Sequence, residues 1–293
     1  MMRNTIELIR LTTSFFREKE IGSPRLDAEL LLAHALGVRR IDLYLNYDRP
    51  VHDDELRSFR HLVRRRAERE PVAYITGVKE FWSLDFAVNP SVLIPRPETE
   101  LLVEQTLRAS ESKCREPGCI ISILELGTGC GAVAVALARS LAHRASIAAT
   151  DISPMALAVA RSNAIRHCVS EHVRFICGNL FDPINPDLRF HFIISNPPYV
   201  PSAAIPYLMP EVQRYEPVQA LDGGVNGLAF IRSIIREAPY RLMDGGCFFL
   251  EFGDEQQEPI RTVIKETQAF KDPVFFHDLS GRARVVSAEV KGG

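Results

Sequence analysis

The carboxyl-terminal part of the sequence predicts an α/β fold whose sheet is doubly wound and mostly parallel. Strand-like and helix-like segments alternate from about residue 120 onward, a pattern typical of parallel strands joined by helices. A glycine-rich turn, Gly127–Gly131, follows the first strand, at the edge where such sheets bind ligands. No helix separates the last two strand-like segments, so we expect an antiparallel pair at the end of the chain.

Residues 4 to about 77 are helical in pattern and predict a small helical bundle. Apolar residues from Ile6 to Phe16 form a helical stripe, and Ser23-Pro24 is a cap with proline at the first helical position. A third helix begins at Asp53–Glu55 and ends in a basic run, Arg64–Arg66. Such a run is more typical of a solvated helix end than of contact with an acidic partner.

The pattern changes at Glu80, where alternating apolar residues that continue to Val92 predict a β-hairpin. We therefore expect a helical domain at 1–78, a connecting hairpin at 79–94 and a second domain at 95–293. The segment Leu93–Glu100 then forms a stiff, proline-flanked bend that opens a helix. Two interpretations are equally supported: a plain linker, or a cover over a cofactor cleft with Arg96 or Glu98 facing it.

Each element of the second domain is read from its own pattern, with β-branched apolar runs as strands and small or amphipathic runs as helices. Residues 110–119, including Cys114 and Cys119, are polar and predict a surface loop. The expected strands are 120–126, 146–150, 173–177, 190–195, 247–252, 274–277 and 283–290, and the expected helices are 132–141, 154–166, 228–238 and one from about 256.

Composition excludes several function classes. The formal net charge of -2 lacks the basic surplus of a duplex-DNA binder. The six cysteines show no paired CxxC spacing, so no metal site is predicted. Arg3, Glu7 and Arg10 interrupt the apolar residues at the start, which argues against a signal peptide, and no apolar run is long enough to span a bilayer. We expect a soluble cytoplasmic protein that binds no membrane and no nucleic acid directly.

The turn Gly127-Thr128-Gly129-Cys130-Gly131 has the spacing G-x-G-x-G, which differs from the G-x-G-x-x-G of dinucleotide binders. Alternate glycines let the backbone approach a ligand closely. Asp151 ends the next strand, where an acid accepts hydrogen bonds from a ribose diol. A nucleoside without a pyrophosphate clamp is implied, and S-adenosylmethionine fits better than NAD. Cys130 is assigned no nucleophilic role.

The third strand is followed by Asn179 and Leu180. A polar group at this place can bond an adenine amino group while an apolar neighbour covers the ring. An ordinary loop asparagine explains Asn179 equally well.

Two prolines stop the strand Phe190–Ser195 abruptly and leave Asn196 on a rigid corner. The side-chain carbonyl of Asn196 and the backbone carbonyl of Pro197 both accept hydrogen bonds, and Pro197 and Pro198 have no N–H to compete. Tyr199 adds a flat apolar face. This set suits a planar –NH2 group, although Asn-Pro-Pro alone would be explained as a turn.

With these residues identified, the sequence resembles class I S-adenosylmethionine-dependent methyltransferases, and among them the release-factor glutamine methyltransferases. The resemblance covers nearly the whole chain. It is carried by the segments 23–31, 94–100, 125–131, 196–199, 220–224 and 278–282.

The resemblance implies a Rossmann-like fold and a site for each substrate. Gly127, Gly129, Gly131 and Asp151, with Asn179 and Leu180 around the adenine, would bind the cofactor, and Asn196–Tyr199 would hold the amide of a glutamine in the Gly-Gly-Gln loop of a peptide chain release factor. The chain departs from the family pattern at four positions, Glu125, Cys130, Asn179 and Ala283.

The expected catalytic group is Asn196, Pro197, Pro198 and Tyr199, with Tyr199 packed against the amide plane and without a His or Glu base nearby. Two alternatives remain at this point. One is an adenine-N6 nucleic-acid methyltransferase, which uses the same Asn-Pro-Pro-Tyr motif to bind an aromatic amine. The near-neutral charge of the chain argues against it. A cofactor-binding scaffold without turnover is the other, and the intact Asn196 and glycine turn argue against that.

Overall fold

A computed structural model describes residues 4–113 and 119–292, so residues 114–118 of the expected surface loop, with Cys114, lie outside the described residues. The helices are α1 Thr5–Glu18, α2 Pro24–Leu36, α3 Asp42–Leu45, α4 Asp53–Ala67, α5 Val72–Thr76, α6 Glu100–Lys113, α7 Ala132–Leu141, α8 Pro154–Arg166, α9 Pro210–Tyr215, α10 Ala229–Glu237 and α11 Gln257–Thr267. The strands are β1 Val78–Phe81, β2 Leu84–Ala87, β3 Ile121–Leu126, β4 Ala145–Asp151, β5 Val173–Cys177, β6 Phe190–Ser195, β7 Leu242–Glu251, β8 Val274–His277 and β9 Ala283–Glu289.

The described chain divides into two compact units. The first holds residues up to Val78 together with Met209–Tyr215, and the second holds Lys79–Leu208 and the residues from Glu216 onward. Helix α9 falls within the predicted second domain, 95–293, whereas the structure groups it with the helical unit. No described helix is long and apolar enough to cross a membrane.

The helical unit packs one face each of α1, α2 and α4 around a buried apolar cluster that includes Leu8, Phe16, Leu31 and Phe59. Helix α1 is capped by the Asn4 side chain, which accepts a hydrogen bond from the Glu7 backbone N–H. Pro24 opens α2 as expected, but Ser23 contributes no side-chain capping bond.

The end of α4 differs from the solvated helix end that the sequence favours. Arg66 is only 6% exposed and donates hydrogen bonds to Asp27 at 2.7 Å and to Glu211 at 3.0 Å. Arg69 adds a second contact to Glu211, at 3.3 Å. A guanidinium with its fixed fork of donors can bond two carboxylates at once, which explains why α9 joins this unit. Arg64 is exposed, as expected.

We expect Arg66→Met to destabilise the protein by about 3 to 5 kcal/mol, because it leaves the buried Asp27 carboxylate without its counter-charge and Glu211 with Arg69 alone. Urea unfolding of the full chain, followed by circular dichroism, measures the loss. Arg64→Met, an exposed position on the same helix, is the matched control and should change the free energy of unfolding by less than about 0.5 kcal/mol. Equal effects of the two substitutions would contradict the assignment of Arg66 to a buried ion pair.

The second unit is built on a seven-stranded sheet in the order β5-β4-β3-β6-β7-β9-β8. Strands β3 to β7 pair in parallel, and β9 pairs antiparallel with both β7 and β8. The predicted doubly wound sheet with an antiparallel end is therefore confirmed. The chain moves outward from β3 to β5 and then returns to place β6 beside β3, so the strand order reverses between β3 and β6.

Two boundaries differ from the sequence prediction. Strand β7 begins at Leu242, earlier than expected, and includes Gly245 and Gly246, because an irregularity in its pairing with β6 accommodates them inside the strand. Helix α6 continues through Lys113, so the first residues of the expected loop are helical. The connecting hairpin is confirmed but shorter, and both residues of its tight loop, Trp82 and Ser83, have positive φ angles.

Candidate functional site

A cavity lies at the carboxyl ends of β3, β4, β5 and β6, where the strand order reverses. Eight of the predicted site residues line the cavity, and the other four do not. Those that line it are Gly127, Gly129, Asp151, Asn179, Leu180, Asn196, Pro197 and Pro198. Those outside its lining are Thr128, Cys130, Gly131 and Tyr199.

The glycine turn leaves space on the cavity side. Gly127 and Gly129 have φ angles of +71° and +56°, and a Cβ added at either would meet no atom within 4 Å. At Gly131 the structure shows a packing role, and the predicted contact with the cofactor stays a prediction. A Cβ there would lie 3.0 Å from the Ala160 Cβ, so the missing side chain permits close packing of the turn against α8.

Thr128 and Cys130 support the turn from behind. The Thr128 hydroxyl donates to Glu125 Oε2 at 2.7 Å, and both residues are buried. Burial raises the pKa of the Glu125 carboxyl to about 8 and that of the Cys130 thiol to about 12. The thiol is therefore protonated at neutral pH, which agrees with the absence of a nucleophilic role.

Asp151 joins the end of β4 to the glycine turn. Its Oδ2 accepts a hydrogen bond from the Gly129 N–H at 2.8 Å, and its Oδ1 accepts one from the Ser153 N–H at 2.9 Å. Burial raises the pKa of Asp151, and the two backbone donors oppose that rise. Each carboxylate oxygen has a second lone pair, so both can still accept a hydroxyl hydrogen from a ligand.

Asn179 and Leu180 lie together at the end of β5. The Asn179 side chain is exposed and donates to Asp182 Oδ2 at 3.4 Å. Leu180 has a φ of +44°, a region that costs energy for a residue with a bulky side chain. Its carbonyl accepts a hydrogen bond from the buried Thr150 hydroxyl at 3.1 Å, which helps to hold this conformation.

Asn196 follows β6 directly and is held by a neighbouring segment. Its Nδ2 donates to Thr99 Oγ1 at 3.0 Å, and the Thr99 hydroxyl donates in turn to Glu251 Oε2 at 2.6 Å. Thr99 and Glu251 are 5% and 1% exposed. The side chain that is predicted to grip an amide thus ends a chain of hydrogen bonds that reaches into the protein interior.

Tyr199 has a partner inside the protein that the sequence does not indicate. Its hydroxyl donates to Glu251 Oε1 at 3.2 Å, and the expected packing of its ring against an amide plane stays a prediction. Its carbonyl accepts a hydrogen bond from Gln256 Nε2 at 2.9 Å. Burial raises the pKa of the Tyr199 phenol, so the hydroxyl keeps its hydrogen and acts as a donor.

The sequence patterns did not single out Thr99 or Glu251 as site residues. Glu251 is an acid that lies close to the site. Burial raises the pKa of Glu251 to about 7; the bonds from Thr99 and Tyr199 lower it, Glu98 raises it and Arg284 lowers it. A signal was present, because Glu251 is an acid near the end of an otherwise apolar strand segment.

The proline-flanked bend contributes to the cavity through different residues from those considered. Leu93, the first residue of the bend, lines the cavity together with Ser91 and Val92 just before it. Arg96 instead pairs with the buried Glu216 at 2.6 Å, and Glu98 is absent from the lining. The bend therefore reaches the cavity through Leu93, and neither Arg96 nor Glu98 is among the residues that line it; its role as a cover stays a prediction.

Comparison with known proteins identifies the family. Residues 7–77 match the model of the PrmC N-terminal domain, and residues 99–209 match the methyltransferase small domain. A release factor glutamine methyltransferase of Geobacter sulfurreducens is 44% identical over 95% of this chain and 94% of its own length. One of Rhodopirellula baltica is 38% identical over 97% and 95%. The chain belongs to the release factor glutamine methyltransferase family. The predicted family is confirmed, and the chain is a methyltransferase.

Solved structures at lower identity support the fold alone. A methyltransferase from Pyrococcus furiosus is 20% identical, covers 73% of this chain and 92% of its own, and has a TM-score of 0.51. The hMettl16 catalytic domain, solved with a MAT2A 3'UTR hairpin, is 14% identical, covers 76% and 80%, and has a TM-score of 0.58. The predicted methyltransferase fold is confirmed. The relatives that match almost the whole chain do not favour the adenine-N6 alternative.

The raised pKa of Glu251 predicts how stability depends on pH. The folded protein binds this proton more tightly than the unfolded chain, so stability is lost as pH rises from about 4.5 through about 7. The loss from this group is on the order of 3 kcal/mol. The free energy of unfolding, measured with urea between pH 5 and pH 8, should therefore decline less in Glu251→Gln than in the native protein. Glu258→Gln, an exposed acid on α11, is the control, and a native-like decline in Glu251→Gln would contradict the assignment.

Proposed function

We propose that this chain transfers a methyl group from S-adenosyl-L-methionine to the side-chain amide nitrogen of a glutamine in peptide chain release factors. The observation that carries the proposal is the position of Asn196, which lines the same cavity as the open glycine turn and Asp151. The names of relatives that match almost the whole chain support this substrate. By family resemblance the glutamine lies in a Gly-Gly-Gln loop, and such a substrate implies a cytoplasmic location.

The residues present fit the cofactor. Gly127 and Gly129 leave open space where a side chain would intrude, and the two oxygens of Asp151 each have a lone pair for a ribose hydroxyl. Asn179 and Leu180 would lie around the adenine. S-adenosylmethionine, when bound, supplies an electrophilic methyl group on a sulfonium.

The substrate side of the site must activate a poor nucleophile, because the lone pair of an amide nitrogen is delocalised into its carbonyl. Asn196 Oδ1 and the Pro197 carbonyl would accept the two N–H hydrogens of the glutamine amide. These bonds raise the electron density on nitrogen and fix its direction, and orientation is a large contribution to such reactions. Pro198 has no N–H that could compete for the same oxygens.

Positive charge develops on the nitrogen as the new N–C bond forms, and carbonyl oxygens that are already in place stabilise it without reorganisation. Asp151 is the one carboxylate among the described residues that line the cavity, and we assign it to the ribose. A strong base is not required, because the alkylated nitrogen is itself acidic and releases its proton readily.

We further propose that the divisions at 78/79 and 94/95 separate a helical domain and a connecting hairpin from the catalytic domain. The helical domain would contribute to recognition of the protein substrate. Its match to a dedicated family model over residues 7–77 supports a role that is specific to this family.

Asn196→Ala tests directly whether Asn196 binds the glutamine amide of the substrate. We expect kcat to fall by about 10²- to 10³-fold, because a preset transition-state contact is lost. Mass spectrometry of the glutamine-containing peptide of a release factor, with and without enzyme, measures the methylation. Asn185→Ala, at an exposed loop asparagine, is the control and should retain native turnover. Native protein that methylates DNA or RNA and leaves this glutamine unmodified would refute the proposal.

Asp151→Ala tests the cofactor side separately. We expect S-adenosylhomocysteine to bind about 10- to 100-fold more weakly, because hydrogen bonds to a charged group are lost. Isothermal titration calorimetry measures this affinity. Asp187→Ala, in an exposed loop, should bind like the native protein. Unchanged affinity in Asp151→Ala would remove Asp151 from the cofactor site.

A further inference from the structure

A side-chain carboxamide can point either of two faces at its neighbour, and the two are nearly identical in shape. In Asn196 one face carries the Oδ1 acceptor and the other carries the Nδ2 donor. Only the acceptor can receive an N–H hydrogen from a substrate amide. The proposed function therefore depends on which way this side chain is turned, and packing alone cannot choose between the two orientations.

The hydrogen bonds around Asn196 determine the orientation of its carboxamide. The Thr99 hydroxyl has one hydrogen, which it donates to Glu251 Oε2 at 2.6 Å. An ionised carboxylate only accepts, so towards Asn196 the Thr99 oxygen can only accept as well. Asn196 meets it with Nδ2 at 3.0 Å, and Oδ1 is the group left for the cavity.

We propose that Thr99 and Glu251 are positioning residues that fix the Asn196 carboxamide with its carbonyl oxygen towards the substrate. This inference rests on the proposed function, in which Asn196 Oδ1 accepts from the glutamine amide. Neither residue lines the cavity, so both act through Asn196.

Glu251 is itself fixed on both of its oxygens. Oε2 accepts from Thr99, and Oε1 accepts from the Tyr199 hydroxyl at 3.2 Å. Tyr199 follows Asn196 by three residues, so the segment after β6 contacts this carboxylate through two separate hydrogen-bond paths. With the carboxylate 1% exposed, water does not compete for these bonds.

The relay depends on the charge of Glu251. A protonated Oε2 would donate to Thr99, which would then be free to donate to Asn196 and turn its oxygen away from the cavity. The charged and titratable groups facing Glu251 are Glu98, Tyr199 and Arg284, and burial sets the pKa of Glu251 near 7. The rate should therefore rise with pH through about 7 in the native protein.

Thr99→Val keeps the shape of the side chain and removes the hydroxyl. We expect kcat to fall about 10- to 100-fold, as for other residues that orient an active group, with S-adenosylhomocysteine affinity within twofold of native. Thr99→Ser restores the hydroxyl and should recover kcat to within about threefold of native, on the same reasoning. Thr106→Val is the matched control, because Thr106 is a fully buried threonine whose hydroxyl donates to the Leu102 carbonyl, one turn earlier in the same helix, and which should tolerate the change.

Glu251→Gln separates positioning from general stabilisation. Glutamine can donate to Thr99 at every pH, so this variant should be slow and should lose the rise in rate through about pH 7. A Glu251→Gln variant that keeps the native pH profile, or a Thr99→Ser variant as slow as Thr99→Val, would overturn the inference.

A measurement that does not use activity distinguishes this inference from the proposed function. The side-chain NH2 resonances of Asn196, identified by their loss in Asn196→Ala, should shift in Thr99→Val and stay in place in Thr106→Val. Resonances that do not move in Thr99→Val would overturn the positioning role. Shifted resonances in a protein that methylates no release factor would support the hydrogen-bond relay and refute the proposed function.

Discussion

The hydrogen bond from the Ser195 hydroxyl to the Leu126 carbonyl, 2.7 Å long and buried, joins the ends of β3 and β6. These two residues also face each other in the parallel pairing of the strands. Because the strands end at the same level, the glycine turn and Asn196 begin side by side. A nucleoside bound over the turn and an amide held by Asn196 can therefore share one cavity, which is the geometry that methyl transfer between them needs.

The site is supported by an arrangement that occurs twice, a buried carboxyl group with an oxygen that accepts the hydroxyl hydrogen of a threonine. Glu125 and Thr128 hold the glycine turn, whereas Glu251 and Thr99 hold Asn196. In both pairs burial raises the pKa of the acid, to about 8 and about 7. Each pair supports one side of the reaction, the first behind the cofactor and the second behind the substrate.

Local pattern explains what could be predicted from the sequence. Strand ends, the glycine turn and the position of Asn196 follow from neighbours a few residues apart, so periodicity and turn chemistry found them. The contact of Thr99 with Glu251 joins residues 152 apart, and that of Arg66 with Glu211 joins residues 145 apart. A single sequence carries no signal for such pairs. Gly131 shows the same limit, because its role depends on Ala160 of another helix.

Tyr199 shows how a motif residue can have a structural partner that its sequence neighbours do not reveal. Its position close to Asn196 in the sequence predicts contact with a substrate, and its hydroxyl also donates to Glu251, which lies on β7. The same acid explains both the tyrosine and the orientation of the asparagine. Asn196 and Tyr199 are then coupled through Glu251 and do not act as independent contacts.

The buried acid also explains a cost in stability. At neutral pH an ionised Glu251 destabilises the folded state relative to a protonated one, since burial disfavours the charge. A neutral side chain at this position would avoid that cost, but it could supply a donor to Thr99 and leave the direction of the Asn196 amide undetermined. Only a side chain that accepts hydrogen bonds and donates none, such as an ionised carboxylate, keeps the Thr99 hydroxyl hydrogen directed away from Asn196. The charge of Glu251 thus weakens the fold and at the same time sets the orientation of the Asn196 carboxamide. Functional sites retain such groups, although selection for stability alone would remove them.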